Sequence, residues 1–130
     1  MIVLDASATV DWLLRTPAGE RIERRIFSGG DTLHTVHLLD VEFAQVLRRL
    51  VRERTLTPRR AEEALEDLAA LRMVRYAPGL LLSRIWSLRQ NLSAYDAAYV
   101  ALAEELDAPL ITRDRRMAAT PGHKAAIEVF

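Results

Sequence analysis

The stretch 94–114, AYDAAYVALAEELDAPLITRD, constrains the fold more than any other part of the chain. Its body, residues 97–103, is apolar all round, which predicts a helix buried on several sides. The run 109–112 is short and apolar, which predicts an interior parallel strand. Asp96 opens the helix, and Asp114 follows the strand, where open α/β sheets place their ligand sites. The stretch therefore predicts an α/β fold with acidic residues at one edge of the sheet.

Short apolar runs alternate with helical patterns along the rest of the chain. Further strands are predicted at residues 1–5, 32–36, 73–77 and 126–130. Helices are predicted at 6–15, from 17 to the turn at 28–30, at 38–55, 58–71 and 80–90, with a short turn or helix after Asp114. This alternation indicates a mostly parallel sheet of about four to five strands with helices on both faces. No linker or repeat interrupts the pattern, so residues 1–130 are expected to form a single domain.

Apolar spacing within the predicted helices indicates which side chains are buried. The helix 38–55 carries the clearest stripe, with Glu42 in its first turns near the edge of that stripe. Phe27 and Leu65 are both predicted to face inward from their helices. Ser93 is predicted to cap the helix that begins the stretch 94–114.

Composition narrows the classes of function. Lysines and arginines number 18, as do acidic residues, so net charge is zero and bulk charge alone is not expected to hold nucleic acid. Without cysteine, neither disulfides nor thiolate zinc sites are available. No apolar run approaches the roughly 20 residues that span a bilayer. The chain opens directly on a predicted strand, so we expect a cytoplasmic protein with no membrane partner.

Four carboxylates are predicted to meet at the carboxyl edge of the sheet: Asp5, Glu42, Asp96 and Asp114. Two follow strands, and two lie in the first turns of helices. Clustered carboxylates repel one another and raise each other's pKa, so such a group is stable only with cations between its members. Oxygen ligands suit Mg²⁺ or Mn²⁺, and these ions activate water and stabilise the leaving oxygen of a phosphodiester.

Each of these acids also has a structural explanation when it is taken alone. Asp5, Asp96 and Asp114 are well placed to cap helices or to interact with helix dipoles. Glu42, taken alone, fits a solvated helix flank better than a site. The shared position favours a site, because capping does not require the acids to gather at one end of a sheet.

The segments LDASA, LLDVEFAQVLRRL and YDAAYVALAEELDAPLITRD together resemble a PIN domain, specifically the VapC-type toxin ribonucleases. The resemblance covers nearly the whole chain, and the third segment is its most specific part. It implies a metal-dependent ribonuclease that forms a homodimer and is neutralised by a VapB-type antitoxin encoded beside it. By motif, the same four acids become the catalytic ligands of Mg²⁺ (or Mn²⁺).

The resemblance also assigns supporting residues. Ser7 and Thr112 correspond to polar residues that support the metal site. Val36 departs from the pattern, because many relatives have proline there, and the change concerns the loop and not the acids. Antitoxins of this kind lay a helix into an apolar groove, for which Trp12, Trp86 and residues 80–82 are candidates, although such residues more often belong to the core.

Three arginines flank the last acid: Arg113, Arg115 and Arg116. Their guanidinium groups are predicted to contact phosphates of the RNA substrate, with solvated loop charges as the alternative.

Two other functions are compatible with parts of the sequence. A PIN-like module without activity would only bind RNA or a partner, and would not need its acids occupied by metal. An aspartate-based phosphotransferase of the haloacid-dehalogenase type needs a second acid two residues after the first, where this chain has Ser7. A receiver domain, the other kind of protein that uses a strand-end aspartate in phosphoryl transfer, needs a lysine after a late strand, but Lys124 lies in a Pro-Gly loop.

Overall fold

Five short parallel strands form the central sheet in the computed structural model, which describes residues 1–130. They are β1 (Ile2–Leu4), β2 (Leu33–Val36), β3 (Met73–Tyr76), β4 (Leu110–Thr112) and β5 (Ile127–Val129). Their order across the sheet is β3-β2-β1-β4-β5, and every neighbouring pair is parallel. The predicted α/β architecture is confirmed, and β4 is interior as expected from its apolar sequence.

Helices connect and cover the strands. They are α1 (Ala6–Leu13), α2 (Pro17–Ser28), α3 (Leu38–Arg52), α4 (Pro58–Ala70), α5 (Leu82–Ser87), α6 (Ala94–Leu106) and α7 (Arg115–Ala119). The helix predicted at 80–90 is wrong in extent, because a 3₁₀ turn at Pro78–Leu81 comes first and α5 ends at Ser87. Residues 88–91 form a turn, and Leu88 and Leu92 are both buried in the core. None of the helices has the length and apolar character that crossing a bilayer requires.

The body of α6 is the most buried helical segment, as its sequence predicts. Every residue from 97 to 103 is buried, and α6 packs against β1, β2 and β4. The Ser93 hydroxyl accepts a hydrogen bond from the backbone N–H of Asp96 at 3.1 Å, which confirms the predicted cap. A local cap and an apolar body therefore set where this helix begins and how deeply it lies.

Two predicted core residues are instead exposed. Phe27 is 69% exposed, and its ring meets only the edge of Trp12, 6.3 Å away between centroids. Leu65 is 40% exposed. Both follow a residue that does face the core, Ile26 and Ala64 respectively, and a step of one residue turns a side chain about 100° around a helix. The buried stripe of each helix is thus narrower than the apolar sequence suggests.

The proposed apolar groove is divided by burial. Trp12 and Leu81 belong to the core, whereas Leu80, Leu82 and Trp86 are exposed, Leu80 to 96%. The exposed three lie on the 3₁₀ turn and α5, whereas Trp12 is buried on α1. Burial thus leaves Leu80, Leu82 and Trp86, and not Trp12, accessible to a partner.

The order of the strands defines where a ligand site belongs. From β1 the chain adds β2 and β3 on one side, then returns to add β4 and β5 on the other. This reversal opens a crevice outside the carboxyl ends of β1 and β4, the usual position of ligand sites in open α/β sheets. Asp5 directly follows β1, and Asp114 lies two residues beyond the end of β4.

Candidate active site

Asp5 is the most buried acid at the carboxyl edge, with a residue exposure of 4%. Its Oδ1 accepts hydrogen bonds from the backbone N–H of Ala8 at 2.9 Å and from the Ser7 hydroxyl at 2.8 Å. Its Oδ2 accepts a short hydrogen bond from the Thr112 hydroxyl. The cap of α1 and the candidate site are therefore the same carboxylate.

Burial raises the pKa of Asp5 from its ordinary value of 3.8 to about 6. Desolvation is the largest cause, and the negative charge of Asp96 adds to it. The hydrogen bonds from Ala8, Thr112 and Ser7 oppose the increase by stabilising the ionised form. A nearby cation would favour ionisation further.

The two hydroxyls predicted to support the site join Asp5 to the turn after β4. Thr112 Oγ1 accepts a hydrogen bond from the backbone N–H of Asp114 at 3.0 Å while it donates to Asp5. Ser7 Oγ accepts from the backbone N–H of Arg113 at 3.0 Å while it donates to Asp5. This network fixes the turn that carries Asp114 relative to the end of β1.

Glu42 reaches the same edge from α3 and is half-buried. Its Oε1 accepts a hydrogen bond of 2.7 Å from the hydroxyl of Tyr99. Desolvation raises the pKa of Glu42, the Tyr99 hydrogen bond lowers it, and the charge of Asp96 raises it again. Tyr99 was not predicted from the sequence; the available signal was a single phenol within an otherwise apolar helix, since buried tyrosine hydroxyls need a partner.

Asp96 connects the four acids electrostatically. Burial raises its pKa, the charge of Asp114 raises it further, and Ser93 and the guanidinium of Arg116 oppose this. The charge of Asp96 in turn raises the pKa of Asp5 and of Glu42. Asp96 thus lies within electrostatic reach of each of the other three predicted acids.

Asp114 begins α7, where its Oδ1 accepts a hydrogen bond from the backbone N–H of Arg116 at 2.9 Å. The guanidinium of Arg116 lies 3.5 Å from the same oxygen but is almost fully exposed. Asp114 therefore caps a helix, and its charge also raises the pKa of Asp96.

The two arginines beside Asp114 differ in what they contact. The guanidinium of Arg113 donates to Asp11 and to the carbonyl oxygen of Phe130, so contacts within the chain occupy it. This differs from the predicted phosphate contact. Arg115 is exposed and forms no ion pair. Of the three arginines that flank Asp114, Arg115 and the exposed Arg116 are therefore the two whose guanidinium groups can contact a substrate.

The donor set suits a divalent cation, although its side chains are not drawn together as ligands. No three acidic or imidazole side chains form a ready-made group for a metal ion. The four acids nonetheless supply the hard oxygen ligands that Mg²⁺ and Mn²⁺ prefer. Burial, and to a lesser extent the charge of a neighbouring acid, raises the pKa values of Asp5, Glu42 and Asp96, and a bound cation would oppose both effects.

Comparisons with known proteins agree on one family. Residues 2–122 match the sequence model of the PIN domain. The VapC9 ribonuclease of Mycobacterium tuberculosis is 41% identical over 129 residues, which cover 99% of this chain and 98% of the relative. The VapC12 ribonuclease of the same species is 39% identical over 129 residues, with the same coverage of both chains.

Among solved structures, VapBC2 from Rickettsia felis, bound to a DNA fragment from its promoter, superposes with a TM-score of 0.71. That match covers 99% of this chain and 98% of the other, at 13% identity. At so low an identity, the structural likeness concerns the fold alone.

Proposed function

Because the chain belongs to the PIN domain family, within its VapC ribonucleases, we propose that it is an endoribonuclease toxin of a toxin–antitoxin pair. The observation that carries the proposal is that three acids, at the end of β1, on α3 and in the turn after β4, each lie within electrostatic reach of Asp96 on α6. Nearly full-length similarity to proteins named as VapC ribonucleases supports the same reaction.

The mechanism assigns a cation-binding role to Asp5, Glu42, Asp96 and Asp114. Mg²⁺ or Mn²⁺ held there would lower the pKa of a bound water and offset charge on the phosphodiester. The chain itself supplies three ionisation-favouring hydrogen bonds to Asp5 and keeps that carboxylate away from bulk water. Arg115, exposed next to Asp114, would contact phosphates of the RNA backbone.

Partners follow from the same proposal. The substrate is RNA, and the similarity to relatives named as VapC ribonucleases supports a cognate VapB-type antitoxin as the inhibitor. The protein acts in the cytoplasm as a homodimer. Because net charge is zero, RNA affinity should depend on a local basic rim and fall only moderately with salt.

The test is cleavage of total RNA with and without Mg²⁺ or Mn²⁺, after removal of any co-purified antitoxin. Asp5→Asn and Asp96→Asn are compared with Asp67→Asn, which changes an exposed acid on α4 that forms no ion pair. We expect cation-dependent cuts at few positions in the wild type and in Asp67→Asn, and none in the other two variants.

Other outcomes identify the alternatives. Equal cleavage by all four proteins would mean that the activity is a contaminant and that the acids are not the site. Cation and RNA binding without any cleavage would instead indicate the inactive PIN-like module.

A further inference from the structure

Tyr99 is the one residue in the buried body of α6 with a polar side-chain atom. The residue is 1% exposed, and its hydroxyl donates a 2.7 Å hydrogen bond to Oε1 of Glu42. A buried phenol usually finds a partner, but this partner is one of the four acids of the candidate site. The contact joins α6 to α3 directly at the carboxyl edge.

Glu42 has no other hydrogen bond to hold its carboxylate. Asp5, by comparison, receives three hydrogen bonds and has a short side chain. A glutamate side chain rotates about three torsions, each with several preferred values, so the end of a helix-borne glutamate is poorly defined without a partner. The Tyr99 hydroxyl is therefore what selects the position of the Glu42 carboxylate.

Tyr99 is well suited to this role because its own position is rigid. The ring lies in the core, and residues 97–103 around it are all buried. Tyr99 also follows Asp96 by three residues, so both side chains lie on neighbouring positions of one helix face. One helix thus presents Asp96 directly and places Glu42 through Tyr99.

We propose that Tyr99 is a positioning residue that holds the Glu42 carboxylate next to Asp96, so that the two acids bind a divalent cation together. This inference rests on the proposed function. A purely structural hydroxyl, by contrast, would contribute to stability and leave cation affinity unchanged.

The experiment measures Mn²⁺ binding by calorimetry for the wild type and Tyr99→Phe. Two matched controls remove other phenol hydroxyls. Tyr76→Phe removes the hydroxyl of a tyrosine on β3, which hydrogen-bonds Nδ1 of His34 at 2.9 Å. Tyr95→Phe removes the hydroxyl of an exposed tyrosine on α6. We expect Tyr99→Phe to weaken Mn²⁺ binding by about 10- to 100-fold, the usual cost of losing a partner that orients a ligand. Both controls should bind as the wild type does.

A double-mutant cycle with Glu42→Gln separates positioning from a general disturbance. If Tyr99 acts through Glu42, adding Tyr99→Phe to Glu42→Gln should not weaken Mn²⁺ binding further. An additional loss in the double variant equal to that of the single one would overturn the inference.

A spectroscopic measurement keeps the inference testable if Tyr99→Phe fails to fold. Saturating Mg²⁺ should perturb the near-ultraviolet absorbance of tyrosine in the wild type and not in Glu42→Gln. The inference is overturned if wild type and Tyr99→Phe bind Mn²⁺ equally well. It is also overturned if Mg²⁺ leaves the wild-type spectrum unchanged. In either case, RNA cleavage by the wild type would leave the proposed function intact. Absence of both cation binding and cleavage in the wild type overturns the proposed function itself.

Discussion

The acidic edge has two sides that are built differently. On the strand side, Asp5 is buried and held by Ser7, Thr112 and a backbone N–H. On the helix side, Glu42 and Asp96 are only half-buried, and a single hydrogen bond from Tyr99 holds the Glu42 carboxylate. The strand side is thus rigid and carries the cost of burying a charge, whereas the helix side depends on how α3 and α6 pack.

The largest expected effect is a pH-dependent stability that arises on the strand side. The pKa of Asp5 is about 6 in the folded protein against 3.8 ordinarily, so the folded state binds this proton more tightly than the unfolded chain does. The contribution of Asp5 to the free energy of unfolding should therefore be greatest below pH 3.8 and fall as pH rises to about 6. The fall amounts to about 3 kcal/mol, measured by urea unfolding in a chelating buffer.

Asp5→Asn isolates this effect. Hydrogen bonds from cationic partners, the N-terminal amine and Arg84 respectively, lower the pKa values of Asp31 and Glu104. These two acids therefore make stability rise with pH, but they do so equally in the wild type and in Asp5→Asn, so their effect cancels in the difference. The stability of Asp5→Asn relative to wild type should rise between pH 4 and pH 7 by about 2 kcal/mol, most of the full change. A constant difference across that range would show that Asp5 is not strained by burial.

A smaller effect is expected from Thr112→Val, which removes the hydroxyl between Asp5 and the backbone of Asp114. We expect a loss of about 1–3 kcal/mol in the free energy of unfolding, because buried groups lose their partner. Mn²⁺ affinity should also fall by about 10- to 100-fold, since the variant frees both acids.

Thr35→Val is the matched control, because Thr35 is also fully buried and its hydroxyl donates to the carbonyl of Leu4 instead. It should lose comparable stability but keep its Mn²⁺ affinity. Equal losses of affinity in the two variants would remove the distinction between Thr112 and an ordinary core threonine.

On the helix side, Glu42→Gln should change the free energy of unfolding by less than about 1 kcal/mol at pH 7, since water still reaches the group. The same variant should weaken Mn²⁺ binding without abolishing it, which calorimetry would measure beside chemical unfolding. A stability gain as large as that of Asp5→Asn at pH 7 would mean that the two sides are equally strained.

The smallest effect concerns the arginines beside Asp114. Arg113→Gln should cost about 0.2–1 kcal/mol of stability, because its ion pair with Asp11 is partly exposed. Arg115→Gln should leave stability unchanged and reduce the salt dependence of RNA binding by about one phosphate contact. If Arg113→Gln instead alters RNA binding more than Arg115→Gln does, the roles assigned to these two residues are reversed.

Much of the fold was accessible from the sequence, because local patterns control it. The apolar body of α6, its Ser93 cap and the short interior strand β4 are all decided by residues close together in the chain. The errors at Phe27 and Leu65 arose where an apolar residue lies beside the buried stripe and no neighbouring element covers it. Apolar character alone does not report which part of a helix is covered.

The sequence by itself determined the identity of the acids and their attachment to strand ends and helix starts. Only the tertiary structure decided which partners hold them: Tyr99 binds Glu42 across 57 positions of the chain, and Thr112 binds Asp5 across 107. It also decided that Arg113 turns to Asp11 and the chain end, leaving Arg115 free. The physical reason is that helix and strand patterns follow from neighbouring residues, whereas a hydrogen bond between side chains depends on how distant elements pack.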